Sequence, residues 1–556
     1  SSMSAAIASD TVTTQDVDLS GNYTMTGNYT VSHGTTLTIK PGSTIDMQEY
    51  WMKVEGTLIV DNSTIMSSVQ TTSPGGHNAG VWDSITVTSG GSAILDNVTI
   101  SNAKSCMIID GILVAKSLAV EDCLIGIEVA GTADVDGLSI ESVDNDGVRV
   151  SGNAELSNVD ILLTTTGISS TGDLVVNGGD FQQIGTGISL AGGTADVEDI
   201  NFISGIGNAV SITSNVSGDI DGMTGSSRNA IVAIDSTGFQ ISNVDMSGDR
   251  LINSWSAGDL TISGATYFAD SSETPIDLRT SGTVTLSDIS LTGQFSSLQG
   301  SYNAPWIGIA LAGSGDYLIS NSHIEATDYA VKASGTGTLS VSDSLFLSEN
   351  NGFSFSGISQ TTLDNVTLNI TQGGERGIDI LQGAHSFSGL EVNMPFNQYA
   401  TGSTGIEAWW CSINSQNITV TGFANSMSVH ESDLIAEDLH LLDSSEQGLY
   451  ASSSMIHVSD SMQTRTSDTG IMMVSSEAVL RTWSASTHED AANIDSESEV
   501  TVWDFTSTGQ LYSDSTGDGI LNYGTSQVLN KLQATSNNRL WEMTISFEDL
   551  TGNPVD

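Results

Sequence analysis

The residues best equipped for chemistry in this chain are its carboxylates, 66 Asp and Glu against 14 Lys and Arg. Several sit close together before a glycine turn: Asp134-Val135-Asp136-Gly137, Asp144-Asn145-Asp146-Gly147, Asp219-Ile220-Asp221-Gly222 and Asp514-Ser515-Thr516-Gly517-Asp518-Gly519. Hard oxygen ligands in such runs suit calcium, and Asp144, Asp146, Asp514 and Asp518 are the candidate metal ligands. The competing reading is that Asx-Gly pairs supply the backbone freedom a tight bend requires, with no ion involved. No cofactor is required, and calcium is the one ion the composition accommodates. The 8 histidines are scattered, with no His-x-His or His-x-x-x-His pair, so no transition-metal centre is expected.

Paired carboxylates also serve acid–base cleavage of polysaccharides when a basic residue stands beside them. The basic residues are mostly isolated; Arg228, Arg250 and Arg279, at intervals of 22 and 29, are the ones that recur at coil-like spacing. No catalytic residue is assigned. Trp409-Trp410, Trp306 and Tyr302 could grip sugar rings, the alternative being that they cap core ends. Eight Asn-x-Ser/Thr sequons, at Asn22, Asn28, Asn62, Asn97, Asn215, Asn365, Asn369 and Asn417, are glycosylation candidates, although chance gives a similar count in a chain this rich in Ser and Thr.

These residues are carried by a repeat. GIEVAG from Gly126, GVRVSG from Gly147, GISSTG from Gly167 and GISLAG from Gly187 show one pattern returning every 20 or 21 residues. Its apolar position runs through Ile127, Val148, Ile168, Ile188, Val210, Ile231 and Ile252. Downstream it continues, more loosely spaced, through Ile276, Ile309, Val331, Phe353, Ile378, Ile406, Val429, Leu449, Ile471 and Ile520. Within a coil the alternation has period two, as in Val129, Ala133, Val135, Leu138 and Ile140, which gives three short strands with bends and excludes a helical repeat. Stacked coils pair each strand with its copy in a parallel sheet, and about two dozen coils roughly 4.8 Å apart make a rod about 100 Å long. Longer gaps mark insertions at 71–82, 293–306 and around Met394-Pro395-Phe396, where binding is to be sought.

Only 6 prolines occur, against 58 glycines spread among Ser, Thr, Asp and Asn, a turn-rich all-β composition. A formal net charge of −52 excludes nucleic-acid binding and docking on anionic lipid, both of which need clustered Lys or Arg. Such a surface repels its own copies, so assembly needs divalent cations, salt or acid-poor contact faces. No run approaches the roughly 18 apolar residues of a membrane span, and no signal peptide is present; the start at Ser1 fits a processed chain. Of the three cysteines, Cys106 and Cys123 could bridge neighbouring coils, but they fall at different points of the repeat and are expected as buried thiols.

The opening GNYTMTGNYTVSHGTTLTIKPGSTIDM, followed by VEGTLIVDNSTI and VWDSITVTSGGSAILDNVTISNA, resembles right-handed parallel β-helix repeat proteins (pectin-lyase-like) of bacterial and archaeal cell surfaces. Thr30-Val31, Gly34, Leu37-Thr38-Ile39, Pro41-Gly42, Gly56-Thr57-Leu58 and Trp82 match that family's opening coils in order. The resemblance covers roughly the first hundred residues closely and the remainder only through its period. It implies an all-β, right-handed parallel β-helix over 17–535, preceded by an N-terminal segment or cap at 1–16. The final segment, 536–556, resembles the first hairpin of an immunoglobulin-like module, and either caps the last coil or begins a further β-sandwich. The same architecture carries lyases, hydrolases, tailspikes, adhesins and structural proteins. The Asn-Thr-Asp, Asp-Asp, Gly-His-Gly and Arg-x-Lys signatures of the polygalacturonase-like hydrolases are missing here. The expected function is that of a non-enzymatic extracellular protein, a glycoprotein component of a surface layer, filament or adhesin assembling with copies of itself as a homo-oligomer or lattice. The alternative is a β-helix that binds or cleaves polysaccharide, lyase or hydrolase in type, with surface glycans as partners and a groove beside the insertions that at least two carboxylates face.

Overall fold

A computed structural model describes residues 5–7, 10–69, 80–213, 216–235, 238–255, 258–293, 307–371, 375–395, 401–487, 490–495, 497–507, 510–513 and 520–523. Asn215, Tyr302, Trp306, Asp514, Asp518 and the segment 536–556 lie outside them. Among the described residues there is no helix, and the strands form a parallel β-solenoid of about 21 turns, fewer than the two dozen expected because coils such as that from Ile378 to Ile406 are lengthened. The chain divides into two compact units, Ser1–Asp270 and Ser271–Asp556.

In Ser1–Asp270 the column read from the repeat is the column observed. Ile127 pairs with Val148, and the series continues through Ile168, Ile188, Val210, Ile231 and Ile252, each fully or almost fully buried. Pairing begins upstream, with Ala5–Ile7 set parallel to the strand Asn22–Met25. Trp82, from the opening motif, is wholly buried and donates its indole N–H to the Ser101 carbonyl at 2.8 Å.

In Ser271–Asp556 the column holds from Ile276 through Ile309, Val331, Phe353 and Ile378 to Ile406. Two expectations then fail. Ile406 pairs with Met427, not Val429, which lies two residues further along the same strand and partners Ala408. Leu449 and Ile471 follow, but Ile471 then pairs with Ala492, whereas Ile520 pairs with Glu499 in a different strand. Because alternate residues of a strand face the same way, an inward position two places off satisfies periodicity equally well.

The corners have their own register. In Ile112–Glu121, Leu113 and Ala115 point inward, Lys116 and Ser117 both point outward, and Leu118 and Val120 point inward again. The double step occurs because Ser117 takes a left-handed backbone, φ 54°. The same corner recurs at Asn97, Gly137, Asn158, Gly178, Asp199, Gly222 and Asn243, all with positive φ. Asn, Asp and Gly tolerate that conformation at least energetic cost, which explains Asp136-Gly137 and Asp221-Gly222; Gly147 is not left-handed, and a Cβ there would meet the Gly167 carbonyl oxygen at 2.7 Å. Side chains stack there too: Asn97 Nδ2 donates to Asn62 Oδ1 at 2.7 Å, and Asn158 and Asn243 donate to Asp136 and Asp221 at 2.8 and 2.5 Å.

A second ladder lies buried in Ser271–Asp556. The hydroxyls of Ser432, Ser454, Ser476 and Ser498 accept the backbone N–H of Cys411, Ser432, Ser454 and Ser476 respectively, at 2.9–3.2 Å. These bonds satisfy corner amides that water does not reach.

The expectation of free thiols at Cys106 and Cys123 is corrected. The two form a disulfide, Cα–Cα 6.1 Å, because one coil returns the chain beneath its own start and so brings different points of the repeat together. Cys411 is the free cysteine and is buried.

Candidate functional site

The Asp-rich turns at 134–137 and 219–222 end in corner glycines, Gly137 and Gly222, and that at 144–147 lies where the pairing register shifts. Asp146 is ion-paired to Arg149 at 2.7 Å, and Arg149 reaches Glu128 at 3.4 Å. The Asp144 backbone bonds the Cys123 carbonyl, and its own carbonyl accepts from Thr165 Oγ1. Among the described residues no three His, Cys, Asp or Glu side chains gather as a metal site would require. Arg228 pairs with Asp249 and Arg279 with Asp277, each at 3.3 Å.

Of the sequon asparagines, Asn62, Asn97, Asn365 and Asn417 are exposed at left-handed corners, φ 41–53°. At such a corner Asn takes the bend, the next residue turns inward and the third outward, so Asn-Val-Thr and Asn-Ile-Thr arise from folding geometry alone. Asn22 is exposed, Asn28 is half-buried, and Asn369 is half-buried and accepts from Asn393 at 3.2 Å.

Ionisable and aromatic side chains do converge in Ser271–Asp556, on strands Arg376–Asn393, Thr404–Thr421, Asn425–His430 and Gln447–Ser452. Register sets Asp379 beside Glu407, and Leu381, Trp409, His430 and Ser452 in the next outward column. Arg376 binds both carboxylates, Nη1 to Asp379 at 3.0 Å and Nε to Glu407 at 2.8 Å. The other Glu407 oxygen accepts the Trp409 indole N–H at 3.0 Å. The Trp409 and His430 rings stack with centroids 3.8 Å apart and planes within 8°, and Tyr450 tilts against His430 at 5.3 Å.

Charge in this cluster is crowded. Burial lifts the Asp379 carboxyl above the usual carboxylate range; Arg376 opposes that rise and Glu407 adds to it, and burial wins. Burial likewise pushes the His430 imidazole down, against the pull of Glu407 and Glu431, which keeps the stacked ring neutral near pH 7. Trp410 occupies the next corner, left-handed at φ 52° and 50% exposed, its ring 5.6 Å from that of Trp409. Around it lies a depression of about 490 Å³ lined by Gly383, Cys411, Ser412, Glu431, Asp433 and Ser453, among others. Sequence reading singled out Trp409-Trp410 but missed Arg376, Asp379, Glu407 and His430. Arg376 and Glu407 stand 31 residues apart across a lengthened coil, and no local motif links them.

No helix among the described residues is long and apolar enough to cross a membrane. No family model and no curated protein matches the chain. Among solved structures there is a faint likeness to tailspike protein 3 of bacteriophage CBA120, at 8% identity and a TM-score of 0.11. The match covers 99% of this chain and spans 61% of the tailspike chain.

Proposed function

We propose that this chain is a non-enzymatic structural β-solenoid of the pectin-lyase-like type, built into an extracellular or cell-surface assembly of its own copies. The observation that carries the reading is the set of like charges on adjacent coils. Outward-facing Asp134 is paired in register with Glu155, and Asp196 with Asp219. Carboxylates directly opposite one another repel and weaken a sheet unless a cation intervenes. The chain supplies few cations of its own: Lys40, Lys53, Lys104, Arg149, Arg228, Arg279, Arg376 and Arg465 already pair with carboxylates. The two pairs lie in one outward column with Val175 between them, and calcium shared between such pairs on two copies would relieve the repulsion and join them. Sedimentation velocity of the full chain tests the reading. Calcium should give fast-sedimenting polymers that a chelator returns to single chains, and Asp134→Asn with Asp219→Asn should weaken the response. A single slow species under both conditions rejects it.

A further inference from the structure

Trp410 is an aromatic that the fold does not call for; its ring meets that of Trp409 at 5.6 Å and is otherwise open to solvent on one side. Its corner position is held in neighbouring coils by Gln382, Glu431, Ser453 and Ser475, all left-handed and all polar. Half of Trp410 stays exposed, and a bulky residue is disfavoured in this backbone conformation, a combination found at functional positions. Trp410 instead lines the depression, together with the exposed Glu431 and Asp433 and the hydroxyl-bearing Ser412 and Ser453.

We propose that this corner is a binding site for a neutral oligosaccharide, one pyranose ring lying on Trp410 while Glu431 and Asp433 accept hydrogen bonds from its hydroxyls. An amphipathic indole beside a few polar groups, in a depression of this size, is the chemistry by which an uncharged polyol with one apolar face is held. The adjoining face extends the site: Trp409 connects it to Glu407, and Arg376 fixes Glu407 and Asp379 in place. Arg376 is already committed to both carboxylates, so it cannot receive a uronate. The surrounding acids repel an anionic glycan, which selects for neutral chains. The site is independent of self-assembly and requires no metal.

The test is calorimetric titration of the full chain, in chelator, with cellohexaose, mannohexaose, xylohexaose and maltohexaose, and with hexagalacturonate as the acidic comparison. At least one neutral hexasaccharide should bind and hexagalacturonate should not. Trp410→Gly, which suits the left-handed corner and should leave the melting transition unchanged or raised, should weaken binding about tenfold or more. The double variant Glu431→Gln, Asp433→Asn should weaken it as well, and Trp410→Tyr should retain part of it. No binding by any neutral probe, preference for hexagalacturonate, or undiminished binding by Trp410→Gly overturns the proposal.

Discussion

In Ser1–Asp270, Asp136 and Asp221 stand at corners where the next coil delivers Asn and Ser donors to their oxygens, and these hydrogen bonds hold both carboxyls below the usual range. In Ser271–Asp556, Asp379 stands on a sheet face beside Glu407, and burial holds its carboxyl above that range even with Arg376 attached. The first arrangement favours the ionised acid and belongs to the scaffold. The second disfavours it, and such carboxyls gather at sites that bind or react. An acidic residue in this chain is therefore informative through its donors rather than through its sequence neighbours. Asp-x-Asp-Gly at 134–137 looks more chemical than the dispersed Asp379 and Glu407 and is the more structural.

The largest expected effects are those the two units share, since both rest on the same inward columns. Phe353→Ala should destabilise its unit by about 3–5 kcal/mol and Ile231→Ala by about 2–5 kcal/mol, read as the loss of amide-exchange protection in the coils around each site. A much smaller loss at either position would mean that the columns are not packed as described.

The disulfide adds an asymmetry, because only Ser1–Asp270 contains one. Closing a loop with a sequence separation of 17, the Cys106–Cys123 bond should contribute about 3 kcal/mol, so reductant should lower the denaturant midpoint of that unit and leave the other unchanged. Thiol titration of the unfolded, unreduced chain should count one free thiol, that of Cys411. Three thiols would restore the reading from sequence.

Smaller still is the corner contribution. Asn158→Ala removes both the left-handed preference and the donor to Asp136, and should cost about 1 kcal/mol, whereas Asn158→Gly should cost less because the backbone is relaxed. Equal losses would show that the side-chain ladder, not the backbone, dominates the corner.

The smallest effect is the one that separates the two kinds of carboxylate by sign. Asp136 and Asp221, with lowered values, add stability above the ordinary Asp value of about 3.9, and that stability is lost as pH falls through their folded values. Asp379, with a raised value, favours the folded state when protonated, and its contribution is lost as pH rises from about 3.9 through its folded value. At pH 7, Asp221→Asn should therefore lower the denaturant midpoint, while Asp379→Asn should leave it unchanged or raise it. The same sign for both would collapse the distinction.

Much of the architecture was readable from the residues. Ile127 to Ile252 announce the parallel column because inward apolar positions recur with almost no drift, and Asn-Gly-rich bends announce the corners. Reading failed where two placements satisfy the same rule, as with Met427 and Val429, or where contacts join residues by stacking rather than by sequence. Cys106 and Cys123 belong to the second kind, as do Arg376 with Glu407 and Trp409 with His430. Away from the corners no outward column keeps one residue type throughout, so only the register of coils with unequal lengths reveals which side chains meet.

On the proposed function, acidic pairs on the coils of neighbouring copies are joined by divalent cations. Negative-stain microscopy of the full chain, with calcium and then with chelator, decides this. Ordered arrays or bundles should form with calcium and disperse into single particles when the ion is removed. Single particles under both conditions would contradict it.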